Sequence, residues 1–176
     1  LFPILQSSEF SIFDSSVPEV QEYFESTARR WKEMGFRYVT NDYLGSSKNP
    51  PRYHDPELSK AEVLRKGLES IKRGLGVSIF YRTIIGTDYG PCMGISHDVR
   101  VSGDSHGDRP YAYNNSAAVW CYNHRLWFND PSAIVFKRYG ELKDVRWNRM
   151  WVSWIALAGT VMTYGEQLDE LPFECI

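Results

Sequence analysis

Two aspartates stand where the chain's patterning puts the ends of β-strands. Asp42 falls near the end of an apolar-rich run from Phe36 to Leu44, and Asp104 follows the run Val99 to Ser102. One further strand, expected over Val77 to Ile85, lies between them. In a barrel, strands that far apart aim their ends at a shared central cavity. Two carboxylates there meet the needs of a glycosidase: one attacks the anomeric carbon while the other protonates the leaving oxygen. A retaining enzyme holds them ~5–5.5 Å apart and an inverting one ~6.5–9.5 Å. An aspartate at a strand end also serves as a helix cap or turn former.

A second cluster is His97, Asp98, Asp104, His106 and Asp108. Such a set could hold a divalent metal and activate a water. Its spacing matches no motif such as H-E-x-x-H, and Gly103 and Gly107 give it the character of a polar loop. No metal or other cofactor is therefore expected. Asn114-Asn115-Ser116 has the form of a glycosylation sequon. Asn129-Asp130-Pro131 reads as a turn after a strand, with the aspartate as a local acceptor. Glycine-rich phosphate loops and the G-x-S-x-G elbow are absent, which argues against nucleotide binding and serine hydrolysis. Cys92, Cys121 and Cys175 form no C-x-x-C pair; a Cys92–Cys121 disulfide and the compartment both stay open.

The elements that must position these groups alternate regularly. Ser16 and Glu19 form a capping-box pattern with Pro18 in the first turn. Val20, Phe24, Ala28 and Trp31 then make one helical face, closed by Gly35. Ser59 and Glu62 open a second helix with Leu64, Leu68, Ile71 and Leu75 on its apolar face and Gly76 at its end. Further on, Ala117 to Tyr122 reads as helix, Leu126 to Phe128 as strand, Trp147 to Ala158 as helix and Thr160 to Tyr164 as a final strand. Strands alternating with helices imply βα units and a parallel sheet, an α/β fold in one domain over residues 1–176.

Composition narrows the function. Twenty Lys and Arg against 22 Asp and Glu leave a net charge of −2, without the basic footprint of a nucleic-acid binder. The apolar run from Trp151 to Tyr164 falls short of the ~20 residues a membrane span needs, so no membrane partner is expected. No positively charged, apolar leader opens the sequence, and no secretory signal is expected within it. Aromatic residues reach 15%, enough both to fill a core and to offer flat faces to a sugar.

Taken in order, these segments resemble the melibiase-type α-galactosidases of glycoside hydrolase family 36, and more distantly those of family 27. Phe13 to Val20 resembles the segment that opens that family's third barrel helix. Gly35 to Asp42 resembles its fourth strand, Asp98 to Asp104 its sixth with an R-x-x-x-D motif, and Trp127 to Pro131 the "NDPD" of its seventh. Trp151 to Leu168 resembles the seventh helix and eighth strand. The resemblance implies Asp42 as nucleophile, Asp104 as general acid/base, and Arg100, Thr40, Arg82 and Trp127 at the sugar. The family's lysine two residues before the nucleophile is Thr40 here, which removes a cationic contact to the sugar. Its fifth strand usually brings a cysteine or small polar residue, where this chain has Tyr81, Arg82 and Thr83.

The expected fold is therefore a (β/α)8 barrel, incomplete, running from about the third to the eighth strand. Such barrels typically take ~250 residues, against 176 here. A truncated chain, or a second copy that completes the barrel, is expected to cover the open sheet edges. The expected activity is a retaining exo-glycosidase that acts, without cofactor, on terminal α-galactosides or related glycosides. The rival readings are a galactosyl transferase of the raffinose-synthase type, a silent sugar-binding or incomplete barrel, and a metal-dependent hydrolase.

Overall fold

A computed structural model describes residues 4–6, 11–42, 44, 53–86, 88–104, 110–138, 141–142, 145–158, 161–165, 167 and 169. The chain divides into two compact units, 1–99 and 100–176.

The first unit opens with an antiparallel pair, β1 (Ile4–Gln6) and β2 (Ser11–Phe13). Asp14 follows, 1% exposed, and its carboxylate accepts hydrogen bonds from the Ser16 N–H and hydroxyl and from the His54 N–H at 2.7 Å. This arrangement displaces the capping box expected at Ser16. Helix α1 (Pro18–Glu33) begins instead from Val17 with no side-chain cap, because the Ser16 hydroxyl is committed to Asp14 and to the Asp55 N–H. A carboxylate is the stronger acceptor and takes the hydroxyl in preference to a backbone N–H competing for it. Val20 and Ala28 are buried on α1 as the periodicity requires, and Gly35 closes it at φ +95°, a conformation glycine adopts without strain.

After β3 (Tyr38–Asn41), helix α2 (Lys60–Leu75) starts at Ser59 with the expected capping box: Ser59 accepts from the Glu62 N–H, and Glu62 accepts from the Ser59 N–H. Leu68, Ile71 and Leu75 are buried along it. The helices α1 and α2 pack on each other at Gly74, where an added Cβ would lie 2.2 Å from the Glu25 carbonyl oxygen and 2.7 Å from the Ala28 Cβ. Glu25 also joins the two helices, accepting from Arg73 and Arg29 at 2.9 Å each. These bonds, first of all that from Arg73, hold its carboxyl below the usual range.

Strands β4 (Phe80–Thr83) and β5 (Asp98–Arg100) lie parallel beside β3, and β6 (Phe128–Asp130) follows in the hydrogen-bonded order β3-β4-β5-β6. The parallel α/β sheet agrees with the reading of the sequence, but every strand is shorter than its apolar run. The strand expected over Val77 to Ile85 begins only at Phe80, since Gly76 at φ +69° turns the chain and leaves Val77 92% exposed. The strand expected over Phe36 to Leu44 is confined to Tyr38–Asn41, and that over Val99 to Ser102 is shifted to Asp98–Arg100.

In the second unit, α3 (Pro110–Ala118) starts before the helix expected at Ala117, and Trp120–Tyr122 is a separate 3-10 turn. The strand expected over Leu126 to Phe128 is displaced to β6 because His124 to Leu126 form a turn, with His124 at φ +61°. A short hairpin, β7 (Lys137–Arg138) with β8 (Glu141–Leu142), precedes α4 (Val145–Ala158). Trp151 and Ile155 of α4 pack with Ile134 and Phe136, and the Tyr113 ring meets Trp151 edge-on at 5.3 Å. The final strand expected over Thr160 to Tyr164 is reduced, among the described residues, to a bridge between Ile134 and Tyr164. Among the described residues no helix is long and apolar enough to cross a membrane.

Replacing Gly74 with Ala should destabilise the protein by about 1–3 kcal/mol through overpacking, despite alanine's advantage of about 1 kcal/mol in helix propensity. A lowered urea midpoint at unchanged slope would show it; an unchanged midpoint would mean that the helices can separate freely there.

Candidate functional site

Parallel pairing sets which side chains share a face. Thr40 lies opposite Arg82, and Arg82 opposite Asp98, so the three form one rung across β3, β4 and β5. Side chains alternate along a strand, which places Tyr38, one repeat earlier on β3, on the same face. Arg82 is 4% exposed and Asp98 fully buried. The Arg82 Nε lies 3.9 Å from the Asp98 Oδ1, and Arg82 Nη1 donates to the Tyr38 hydroxyl at 3.1 Å. Asp42 follows the last residue of β3 and is exposed, as is Thr40.

On the other face the sheet is neutral. The Thr83 hydroxyl meets the Cys92 sulfur at 3.2 Å and the Ser96 hydroxyl at 3.0 Å. Burial pushes the Cys92 thiol up, away from the thiolate a nucleophile would need. Cys92 and Cys121 are both free thiols, so the Cys92–Cys121 disulfide does not form.

In the second unit the organising group is Arg100, whose side chain is 10% exposed. Its Nε donates to the Asp130 Oδ2, and its Nη1 reaches the Asp104 Oδ1 at 3.3 Å. Asp130 is wholly buried; Asp104 is 79% exposed. One guanidinium thus bridges an interior carboxylate and a solvent-facing one, which its planar fork of donors permits. Asp130 also accepts from the Ser132 N–H at 2.9 Å, the turn-forming role expected of Asn129-Asp130-Pro131. That turn holds Ser132 at φ +107°, a region sparsely populated by residues other than glycine. The Ser102 hydroxyl donates to the Pro131 carbonyl and ties the segment before Asp104 to it. Trp127 is 4% exposed, and its indole N–H donates to the Asn129 Oδ1 at 2.9 Å.

The structure therefore brings Arg100 and Asp104 together, and sets Thr40 beside Arg82. Asp130 as the chief partner of Arg100 was not legible from its turn motif. A buried strand arginine needs a carboxylate, and that rule is the signal that could have found it. Of the metal candidates, His106 and Asp108 lie outside the described residues. His97 Nδ1 accepts from the Tyr81 N–H at 3.0 Å, and its Nε2 faces the Lys72 Nζ at 3.4 Å. Among the described residues no group of three or more His, Cys, Asp or Glu is placed to hold a metal. Asn114 of the sequon is exposed, within α3.

No family model matches the chain, and neither does any curated protein. Among solved structures, it is similar to TtGalA, an α-galactosidase from Thermus thermophilus solved with p-nitrophenyl α-D-galactopyranoside. The TM-score is 0.69 at 15% identity, over 98% of this chain and 40% of that one. The chain thus spans about two-fifths of that neighbour's length, and the likeness is one of fold. A Burkholderia xenovorans LB400 chain named for L-alanine-DL-glutamate epimerase activity gives only 0.46, at 15% identity over 81% of this chain and 37% of its own.

Two outcomes follow from these contacts. Asp130→Asn should destabilise the protein by about 3–5 kcal/mol, because it leaves the Arg100 charge buried beside a neutral group; a loss under about 1 kcal/mol in chemical denaturation would contradict the pairing. Burial, and then the Lys72 charge, depress the His97 pKa, so the folded state binds its proton less readily than the unfolded chain. That contribution is complete above the unfolded value of about 6.5 and is lost as pH falls through the lowered folded value. The slope of unfolding free energy with pH below neutrality should flatten in His97→Gln; an identical slope would remove His97 as its source.

Proposed function

We propose that the chain forms an incomplete (β/α)8 barrel of a retaining exo-glycosidase acting on terminal α-galactosides or close relatives. The observation that carries this reading is the contact of Arg100 with Asp104 just beyond β5, on a fold shared with an α-galactosidase. In α/β barrels, chemistry sits at the ends of strands, and both Asp104 and Asp42 follow strand ends.

On this reading Asp42 attacks the anomeric carbon. The glycosidic bond breaks as the carboxylate–carbon bond forms, and Asp104 gives its proton to the departing oxygen. Asp104 then takes a proton from water, which displaces Asp42 and releases the sugar with its original anomeric configuration. Arg100, anchored by Asp130, offers guanidinium N–H groups to a sugar hydroxyl beside Asp104. Thr40, Arg82 and Trp127 belong to the same proposal as groups shaping the sugar pocket. The partner is a glycoside, and no cofactor takes part.

Hydrolysis of p-nitrophenyl α-D-galactopyranoside should be abolished in Asp42→Ala; a variant as active as the parent would remove Asp42 as nucleophile. Asp104→Ala should slow hydrolysis of an alkyl α-galactoside by about 10²–10⁴-fold. Bond cleavage in the p-nitrophenyl substrate should suffer less, because that leaving group departs without a proton. Equal losses in bond cleavage on both would contradict the acid role, and added acceptor sugars would separate hydrolysis from transfer.

A further inference from the structure

The rung Thr40–Arg82–Asp98 places a buried guanidinium one strand repeat beneath Asp42. A buried ion pair is poor value as a source of stability: well-packed apolar residues of similar size usually do as well or better. Here the geometry is also loose for a purely structural pair, with 3.9 Å between Arg82 Nε and Asp98 Oδ1 rather than a bidentate bond. The same guanidinium is steered sideways by its bond to the Tyr38 hydroxyl. Thr40, its neighbour on β3, is exposed and brings only a short hydroxyl to the rung. The face thus has one cation, held from two directions, beside an open position and below an exposed carboxylate.

We propose that Arg82 sets glycone specificity, donating hydrogen bonds to a sugar hydroxyl seated over Thr40, with Asp98 and Tyr38 as the residues that position it. The inference rests on the glycosidase reading above and names the residues that choose its substrate. The ligand it selects is a neutral hexose carrying a hydroxyl acceptor toward β4. A site built to bond a substrate hydroxyl discriminates strongly against a sugar that holds that hydroxyl elsewhere, since its own donors are then left unpaired. Asp98 keeps the guanidinium neutralised and fixed, and Tyr38 prevents it from swinging along the strand.

The test compares p-nitrophenyl α-D-galactopyranoside with its C4 epimer, the glucopyranoside, in the full chain. Arg82→Lys keeps the charge facing Asp98 but loses the planar fork, and the double variant Arg82→Met with Asp98→Leu replaces the pair with apolar volume. Both should fold, and both should lower kcat/KM for the galactoside about tenfold or more, chiefly through KM, with the galactoside-to-glucoside ratio falling alongside. Asp98→Asn should move the ratio in the same direction. A double variant that keeps the parental ratio, or an Arg82→Lys variant that does so if the double variant does not fold, would reduce the pair to a structural one. If the parent is active and Asp42→Ala is not, that outcome overturns this inference alone. A parent inactive on both glycosides overturns the glycosidase reading and this inference with it.

Discussion

Charge buried on the face of a parallel sheet has to be neutralised where it stands, and the register of β3, β4 and β5 decides how. Opposing Thr40 to Arg82 and Arg82 to Asp98 puts a guanidinium beside a carboxylate on one face. A register shifted by one residue would turn Arg82 to the opposite face and place Tyr81 or Thr83 in its stead. Arg100 obeys the same constraint in the second unit, where the buried Asp130 takes it from β6. Its remaining N–H groups are then free to be aimed, and one of them meets the exposed Asp104. Neutralisation thus comes first, and presentation of a solvent-facing carboxylate follows from it.

The same preference for carboxylate acceptors shapes the opening of the first unit. Asp14 gathers the Ser16 hydroxyl and two backbone N–H groups, one of them forty residues on at His54. This ties the segment before α2 to the start of α1, so the helix pair is joined at both its opening and its Gly74 contact. The helices stand close because Gly74 has no side chain, and Glu25 adds a charged clasp between them. A helix pair held at a fixed distance in turn fixes the strands that its connections enter.

Much of this was legible in local pattern. The apolar faces of both helices, the Ser59–Glu62 cap and the alternation of strand with helix all follow from interactions within a few residues, which sequence spacing reports directly. The Ser16 cap failed for a complementary reason: the pattern identifies a competent donor and acceptor but is blind to Asp14 and Asp55 competing for them. The strands end early because apolar character continues into Val77 and Leu126, where the backbone turns at Gly76 and His124. Side-chain type does not report such turns when the left-handed residue is a histidine.

The candidate site divides along the same line. By itself, the sequence determined the α/β class, the helices, and the placing of Asp42 and Asp104 after strands, because each depends on periodicity and short-range order. Only the tertiary structure decided that Asp130 rather than Asp104 is the buried partner of Arg100, and that Asp98 stands beside Arg82 rather than in a metal cluster with His97. Partners thirty residues apart are set by strand register and by the need to desolvate charge in pairs. Neither leaves a mark in the spacing of the residues that meet.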